Sequence, residues 1–165
     1  MPRPATLALA AALAAGIASV AAASPADLVG QPAPPIRARP LDGDREVGLE
    51  EYRGRVVLLA FVATWCGACR QLAPELDALA AEHQARGLVV VGLTREPRER
   101  IRAHVAAHAI AIPWMQCTGR TAASYDARGL PTLVLVDRAG RVRAAHQGAT
   151  PGVAARLRRD VAAIL

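Results

Sequence analysis

Two short stretches of this chain are apolar almost without interruption, and the stretches between them carry apolar residues at helical spacing. Residues 55–63 (RVVLLAFVA) are rich in valine and leucine, which suits a strand buried on both faces, as in a parallel sheet. Residues 88–93 read as a second such strand. Between them, residues 67–84 place Leu72, Leu76, Leu79 and Ala80 along one side, with Gly87 just beyond, which predicts a helix and its stop. Pro97 suits the first position of another helix, with Ile101, Val105 and Ala109 on one side. Residues 112–116 predict a short third parallel strand, 121–125 a brief helix and 132–136 a further strand. Asp137-Arg138-Ala139-Gly140 turns that strand into residues 142–146, where Arg141, Val142, Arg143 and Ala144 alternate as a half-exposed edge should. Residues 153–165 close the chain as an amphipathic helix. Strand–helix alternation followed by a hairpin and a helix describes an α/β sandwich with a mixed sheet. No internal repeat is visible.

The N-terminal third reads differently. Residues 1–23 hold a single charge, Arg3, then small and apolar residues ending in Ala21-Ala22-Ala23, a small-x-small cleavage pattern before Ser24. This predicts a secretory signal. An uncleaved anchor is the competing reading, because residues 7–23 are nearly long enough to cross a bilayer. A run made mostly of alanine is weakly hydrophobic for a permanent span, which favours cleavage. Residues 24–40 carry five prolines and little periodicity, and read as an extended lead-in over the surface or a spacer from a membrane. Asp42-Gly43-Asp44 marks a turn, residues 46–49 a short edge strand, and residues 50–52 a turn of helix ending at Gly54. Residues 41–165 then form one domain, large enough for a real core and too small for two. An exported domain works where cysteine pairs persist as disulfides, so the expected location is periplasmic or otherwise extracytoplasmic.

Charge narrows the function. The chain carries a formal +6, and all 20 of its basic residues are arginines. They are scattered rather than gathered on one face, and aromatic residues make up 3% of the chain, so nucleic-acid binding is excluded as a function class.

The most informative feature is Trp65-Cys66-Gly67-Ala68-Cys69, directly after the first buried strand. Two cysteines three apart at the start of a helix share a face, one turn from each other. They are close enough to alternate between dithiol and disulfide with little backbone movement. The first points its sulfur at the unpaired N–H groups of the helix start, where the dipole favours thiolate, the nucleophile of disulfide exchange. Half a zinc site or a stabilising disulfide are the other readings. A zinc site needs a second Cys-x-x-Cys or paired histidines, whereas the chain has one further cysteine, Cys117. A disulfide closing so small a loop adds little stability. Leu130-Pro131-Thr132 is a second element: a proline before a β-rich run cannot donate to a ladder and takes the first position of the strand.

These residues resemble the thioredoxin-like superfamily, and more narrowly its exported TlpA and redoxin-type thiol–disulfide oxidoreductases. The matching segments are Gln31-Pro32-Ala33-Pro34, Leu41-Asp42-Gly43, the run from Arg53 through Leu59, Phe61 through Cys69, Pro74 inside the helix, Gly129-Leu130-Pro131-Thr132 and Val136-Asp137-Arg138-Ala139-Gly140. The resemblance spans residues 29–165. It implies a thioredoxin-like three-layer sandwich, a mixed central sheet with helices on both faces, and a helix–strand insertion between Leu93 and Thr121. It further implies that Cys66 is the nucleophile, that Cys69 resolves, and that Pro131 is cis and faces the disulfide. Trp65, Gly67, Ala68 and Leu130 are then the residues that meet a substrate peptide. No cofactor and no metal are implied.

The chain departs from that pattern in three places. Ala60 stands six residues before the first cysteine, where relatives carry aspartate or asparagine. Leu72 stands three residues after the second, where many carry glutamate. This leaves no obvious carboxylate to take the proton from Cys69, so water or a substrate group takes it. The dipeptide between the cysteines is Gly67-Ala68 rather than Gly-Pro, which leaves redox potential and direction open. Cys117 reads as a small buried hydrophobe at a strand end, or as a third thiol on the edge of the sheet where sites are built. His104 and His108 have the spacing of a metal pair, but a solvated helix face explains them equally and no third ligand lies near. Trp65 reads as a shield of the site's surface and Trp114 as core.

The leading expectation is an exported reductant that opens disulfides of partner proteins and is re-reduced by a membrane electron donor. The resemblance names haem-attachment cysteines of apocytochrome c, or copper-site cysteines, as target types. A thiol oxidase and a copper-binding chaperone module are the alternatives. A peroxidase is disfavoured because Ala63 stands where peroxiredoxins have threonine or serine.

Overall fold

The computed structural model describes residues 24–165, so the predicted signal or anchor at 1–23 lies outside the described residues. The central strand is β2 (Val56–Phe61), all six residues of which are buried. Alternation splits it between two cores: Val56, Leu58 and Ala60 face one side, and Val57, Leu59 and Phe61 the other. Its neighbours are β3 (Leu88–Thr94), parallel, and β5 (Thr132–Val136), antiparallel. Beyond β3 lies β4 (Trp114–Cys117), again parallel, and beyond β5 lies β6 (Val142–Gln147), antiparallel. With β1 (Ala38–Pro40) antiparallel on the outer side of β4, the sheet has six strands in the order β1-β4-β3-β2-β5-β6.

Helices cover both faces. On the first, α1 (Gly67–His83) contributes Leu72, Leu76 and Leu79, α4 (Val153–Ile164) contributes Val153, Leu157 and Val161, and α2 (Arg98–Ala107) contributes Ile101. On the second, α3 (Gly119–Ser124) leads into Tyr125, whose ring packs 5.2 Å from that of Phe61. This is the predicted three-layer α/β sandwich, with α2 and β4 inserted between β3 and α3. Trp114 is core, as predicted, and its ring lies across β3 at Gly92, where a Cβ would come within 2.6 Å of it.

Three elements differ from the sequence-based expectation. Residues 46–49 form no strand; Val47 makes a single bridge to Ala38, and the edge strand is Ala38–Pro40 instead. Residues 24–40 are more than a surface lead-in. Leu28 and Ile36 are buried in the second core, Gly30 N–H and Val142 N–H bond across to Val142 and Gln31 carbonyls, and the Tyr125 hydroxyl donates to the Pro34 carbonyl. Proline-rich chain supplies free carbonyls but few donors, so its ties run largely through partners from elsewhere. Finally, α2 stops at Ala107, and Ala109 takes a left-handed conformation (φ +50°) that lets Ile110 N–H bond the Val105 carbonyl. His104, not Ala109, joins Ile101 on the buried side.

Candidate active site

The site lies on the edge of the sheet where β2 and β3 end and β5 begins. Val62 N–H still donates to the Leu93 carbonyl at 2.9 Å, and the chain then bends, with Cys66 N–H on the Ala63 carbonyl at 3.1 Å. Cys66 is the N-cap of α1. Its sulfur accepts the Cys69 N–H at 3.1 Å, taking up one of the donors a helix start leaves unpaired. Cys66 and Cys69 are joined as a disulfide, with Cα atoms 5.2 Å apart. The Arg70 guanidinium folds back over Gly67, 3.9 Å from where a side chain there would begin. Cys66 and Cys69 are 5% and 2% exposed, whereas Trp65 beside them is 71% exposed.

The sequence-predicted contact residues meet on this edge. The register Phe61↔Thr132 brings the start of β5, and Pro131 before it, alongside the segment that emerges from β2. The Leu130–Pro131 bond is cis. Leu130 packs against both cores, Ala68 against the first, and Gly67 is exposed. A cavity of about 600 Å³ opens next to them, with Trp65, Leu130, Phe61, Glu96 and Cys117 among its walls.

Cys117 is free and buried at the end of β4. Burial pushes its thiol up to about 11, against smaller lowering influences from its backbone environment and Arg95. It is a neutral, hydrophobic thiol at neutral pH. The expected solvated face for His104 and His108 holds only for His108. His104 is buried, stacked 4.3 Å from the His108 ring and 5.2 Å from Trp114, because α2 rests this side on the sheet. Among the described residues no three His, Cys, Asp or Glu side chains cluster as a metal site would require.

Sequence reasoning missed one residue of this edge. Glu96, just past β3, extends its carboxylate to Thr64: Oε2 accepts the Thr64 N–H and Oε1 the Thr64 hydroxyl, both at 2.7 Å. Burial works to raise its pKa, but these bonds, the Thr94 hydroxyl and the Arg100 charge together outweigh it, and the carboxyl lies below the usual range. The signal was the register. β2 and β3 pair Val56 with Leu88 and Phe61 with Leu93, and the same offset of 32 carried past the strand ends brings Thr64 to Glu96.

Comparison with known proteins agrees with this geometry. Residues 29–145 match the AhpC/TSA family. The chain is 30% identical to the thioredoxin-like protein YneN of Bacillus subtilis over 122 residues, 72% of this chain and 71% of that one. It is also 30% identical to the thiol–disulfide oxidoreductase ResA of Geobacillus thermodenitrificans over 117 residues, 70% of this chain and 67% of that one. A Chlorobium tepidum structure described as a candidate thiol:disulfide interchange protein DsbE superposes with a TM-score of 0.74 at 30% identity, covering 80% of this chain and 94% of that one. With a capping cysteine pair at the strand-to-helix junction of this sheet, the chain belongs to the AhpC/TSA family as a thioredoxin-like thiol–disulfide oxidoreductase.

Proposed function

We propose that the chain is an exported reductant of protein disulfides. The observation that carries the exchange chemistry is the capping geometry: the Cys66 sulfur sits on a backbone N–H at the tip of α1, where a thiolate is favoured over a thiol; the reducing direction rests on the family resemblance. In the dithiol form the Cys66 thiolate attacks one sulfur of a target disulfide and expels the other as a thiolate. The Cys69 thiolate then attacks the Cys66 sulfur, releasing the target's second thiol and leaving the Cys66–Cys69 disulfide seen here. Two electrons pass to the target, and a membrane electron donor returns them. Pro131 and Leu130 present backbone groups to the incoming peptide, while Trp65, Gly67 and Ala68 form the surface it lies on. Targets of the haem-attachment or copper-site type follow from the family resemblance, and export follows from residues 1–23 acting as a cleaved signal or an anchor.

The test is the reduction potential of the Cys66–Cys69 pair, measured by equilibration with dithiothreitol or glutathione buffers. A strongly reducing value, near or below about −250 mV, supports delivery of electrons. A value near that of strong oxidants, about −120 mV, overturns the direction and makes the same residues a thiol oxidase.

A further inference from the structure

We infer that Glu96 is a positioning residue for exchange at Cys66, acting through Thr64. This rests on the reading of Cys66 as the attacking thiol. The pairing of β2 with β3 gives out after Val62, whose N–H is the last to find a strand carbonyl before the bend. Thr64 then has no strand opposite it, and Glu96 substitutes for one by taking both its N–H and its hydroxyl at 2.7 Å. Two charge-assisted bonds to one residue fix its place and its rotamer together. The carboxylate is itself held, by the Thr94 hydroxyl at 3.2 Å and by Arg100 at 3.7 Å, and only 12% of the Glu96 side chain is exposed.

What this clamp steadies is the short bend between strand and helix, which the Cys66 N–H also ties to the Ala63 carbonyl at 3.1 Å. Trp65, between Thr64 and Cys66, is 71% exposed and gains little from burial. Cys66 is therefore held from two directions: by the cap on Cys69 N–H on its helix side and by the Thr64 clamp on its strand side. Freeing the strand side lets residues 63–65 sample other conformations. The sulfur then spends less time on the helix axis, and both its ionisation and its approach to a disulfide suffer. A purely electrostatic role predicts the opposite sign, because removing a carboxylate close to a thiolate would make that thiolate easier to form.

The experiment compares reduced wild type with Glu96→Gln, Glu96→Ala, Thr64→Val and the Glu96→Ala/Thr64→Val pair. It reads the rate constant with the small disulfide DTNB and the pH midpoint of Cys66 alkylation by iodoacetamide. Asp137→Ala is the stability control, since it removes acceptors of Ala139 and Arg141 N–H in the β5–β6 turn at the far end of the sheet. Positioning predicts that Glu96→Ala slows exchange about tenfold and raises the midpoint, while Glu96→Gln, which keeps one acceptor, slows it about threefold. The double variant is no slower than Glu96→Ala, because both changes cut the same link. Asp137→Ala reacts as wild type. Wild-type rates and midpoints in Glu96→Ala, with only Tm lowered, overturn the proposal, as does a faster reaction in both Glu96 variants. Should Glu96→Ala fail to fold, Glu96→Gln and Thr64→Val decide the matter by the same two readouts. A wild type inert towards DTNB is a distinct result, which takes down the exchange reading and this inference together.

Discussion

Cys66 and Cys117 are hidden to nearly the same degree, 5% and 6% exposed, and both lie at the carboxyl end of a parallel strand on the same edge of the sheet, Cys66 shortly past β2 and Cys117 as the last residue of β4. Each also has an arginine close by, Arg70 over Gly67 in one case and Arg95 in the other. Yet Cys66 heads a 17-residue helix and its sulfur takes a backbone N–H. Cys117 instead stands directly before the N-cap of α3, where the Thr118 hydroxyl and not the thiol accepts the Thr121 N–H, and burial drives the thiol up to about 11. Neither strand-end position nor exposure nor a nearby cation separates the two. What separates them is the set of unpaired N–H groups at a helix tip, which solvates a sulfur anion inside the protein.

The comparison breaks most sharply at the cysteines themselves. Cys66→Ser is expected to lower disulfide exchange by at least about a thousandfold, since a serine hydroxyl is scarcely ionised where a thiolate attacks. Cys69→Ser should leave the first attack intact and trap a mixed disulfide with the target, visible as a mass adduct that dithiothreitol removes. Cys117→Ser should exchange at close to the wild-type rate. A Cys117→Ser protein as inactive as Cys66→Ser would place both thiols in the chemistry and end the contrast.

Most of this edge could be read from the chain, and the reason is locality. The run Val56–Phe61, the spacing of Leu72, Leu76 and Leu79, and the cysteines directly between them are properties of one segment, and they fixed strand, helix and cap together. Residues whose role depends on a distant partner were harder. Ala38–Pro40 hardly looks like a strand; it becomes one because Met115–Cys117 lies opposite, while Val47-Gly48-Leu49, which alternates better, pairs only at the single Val47–Ala38 bridge. His104 looked solvated because α2 is largely polar, and its burial follows from where Trp114 falls. Glu96 stayed hidden for the same reason. Only the β2–β3 register, not the sequence around it, brings it to Thr64.

Alkaline pH acts on the buried thiol. In the unfolded chain Cys117 ionises around 9, while in the folded protein it resists to about 11. A folded pKa that is raised contributes stability in full below the unfolded value and loses it as pH climbs through the folded one. Between pH 9 and 11 the wild type should therefore lose about 2–3 kcal/mol through this group. Tyr125, whose phenol is also raised by burial, adds a loss above pH 10, so the wild-type curve alone does not isolate the cysteine. Urea unfolding of wild type and Cys117→Ala across pH 8 to 11 does. The two stabilities should converge as pH rises, and parallel curves would show that Cys117 is not held neutral, removing one side of the comparison.

The smallest effect tests whether the helix tip or the neighbouring charge carries the difference. Arg95 fails to bring Cys117 into a reactive range, so a nearby guanidinium by itself is a weak lever against burial. Arg70 is itself exposed and screened by solvent, and it approaches Cys66 only by folding over Gly67. Arg70→Ala should accordingly raise the pH midpoint of Cys66 alkylation by only about half a unit and slow exchange at neutral pH about two- to threefold. At about 1 M salt, where charges are screened within roughly 3 Å, the variant and the wild type should react alike. Because the Cys69 N–H of α1 lies in direct contact with the sulfur, the contribution of the helix start should survive that salt, and the wild-type midpoint should stay well below that of an ordinary thiol. If high salt instead returns Cys66 to ordinary thiol behaviour, the surface charges and not the helix start distinguish it from Cys117.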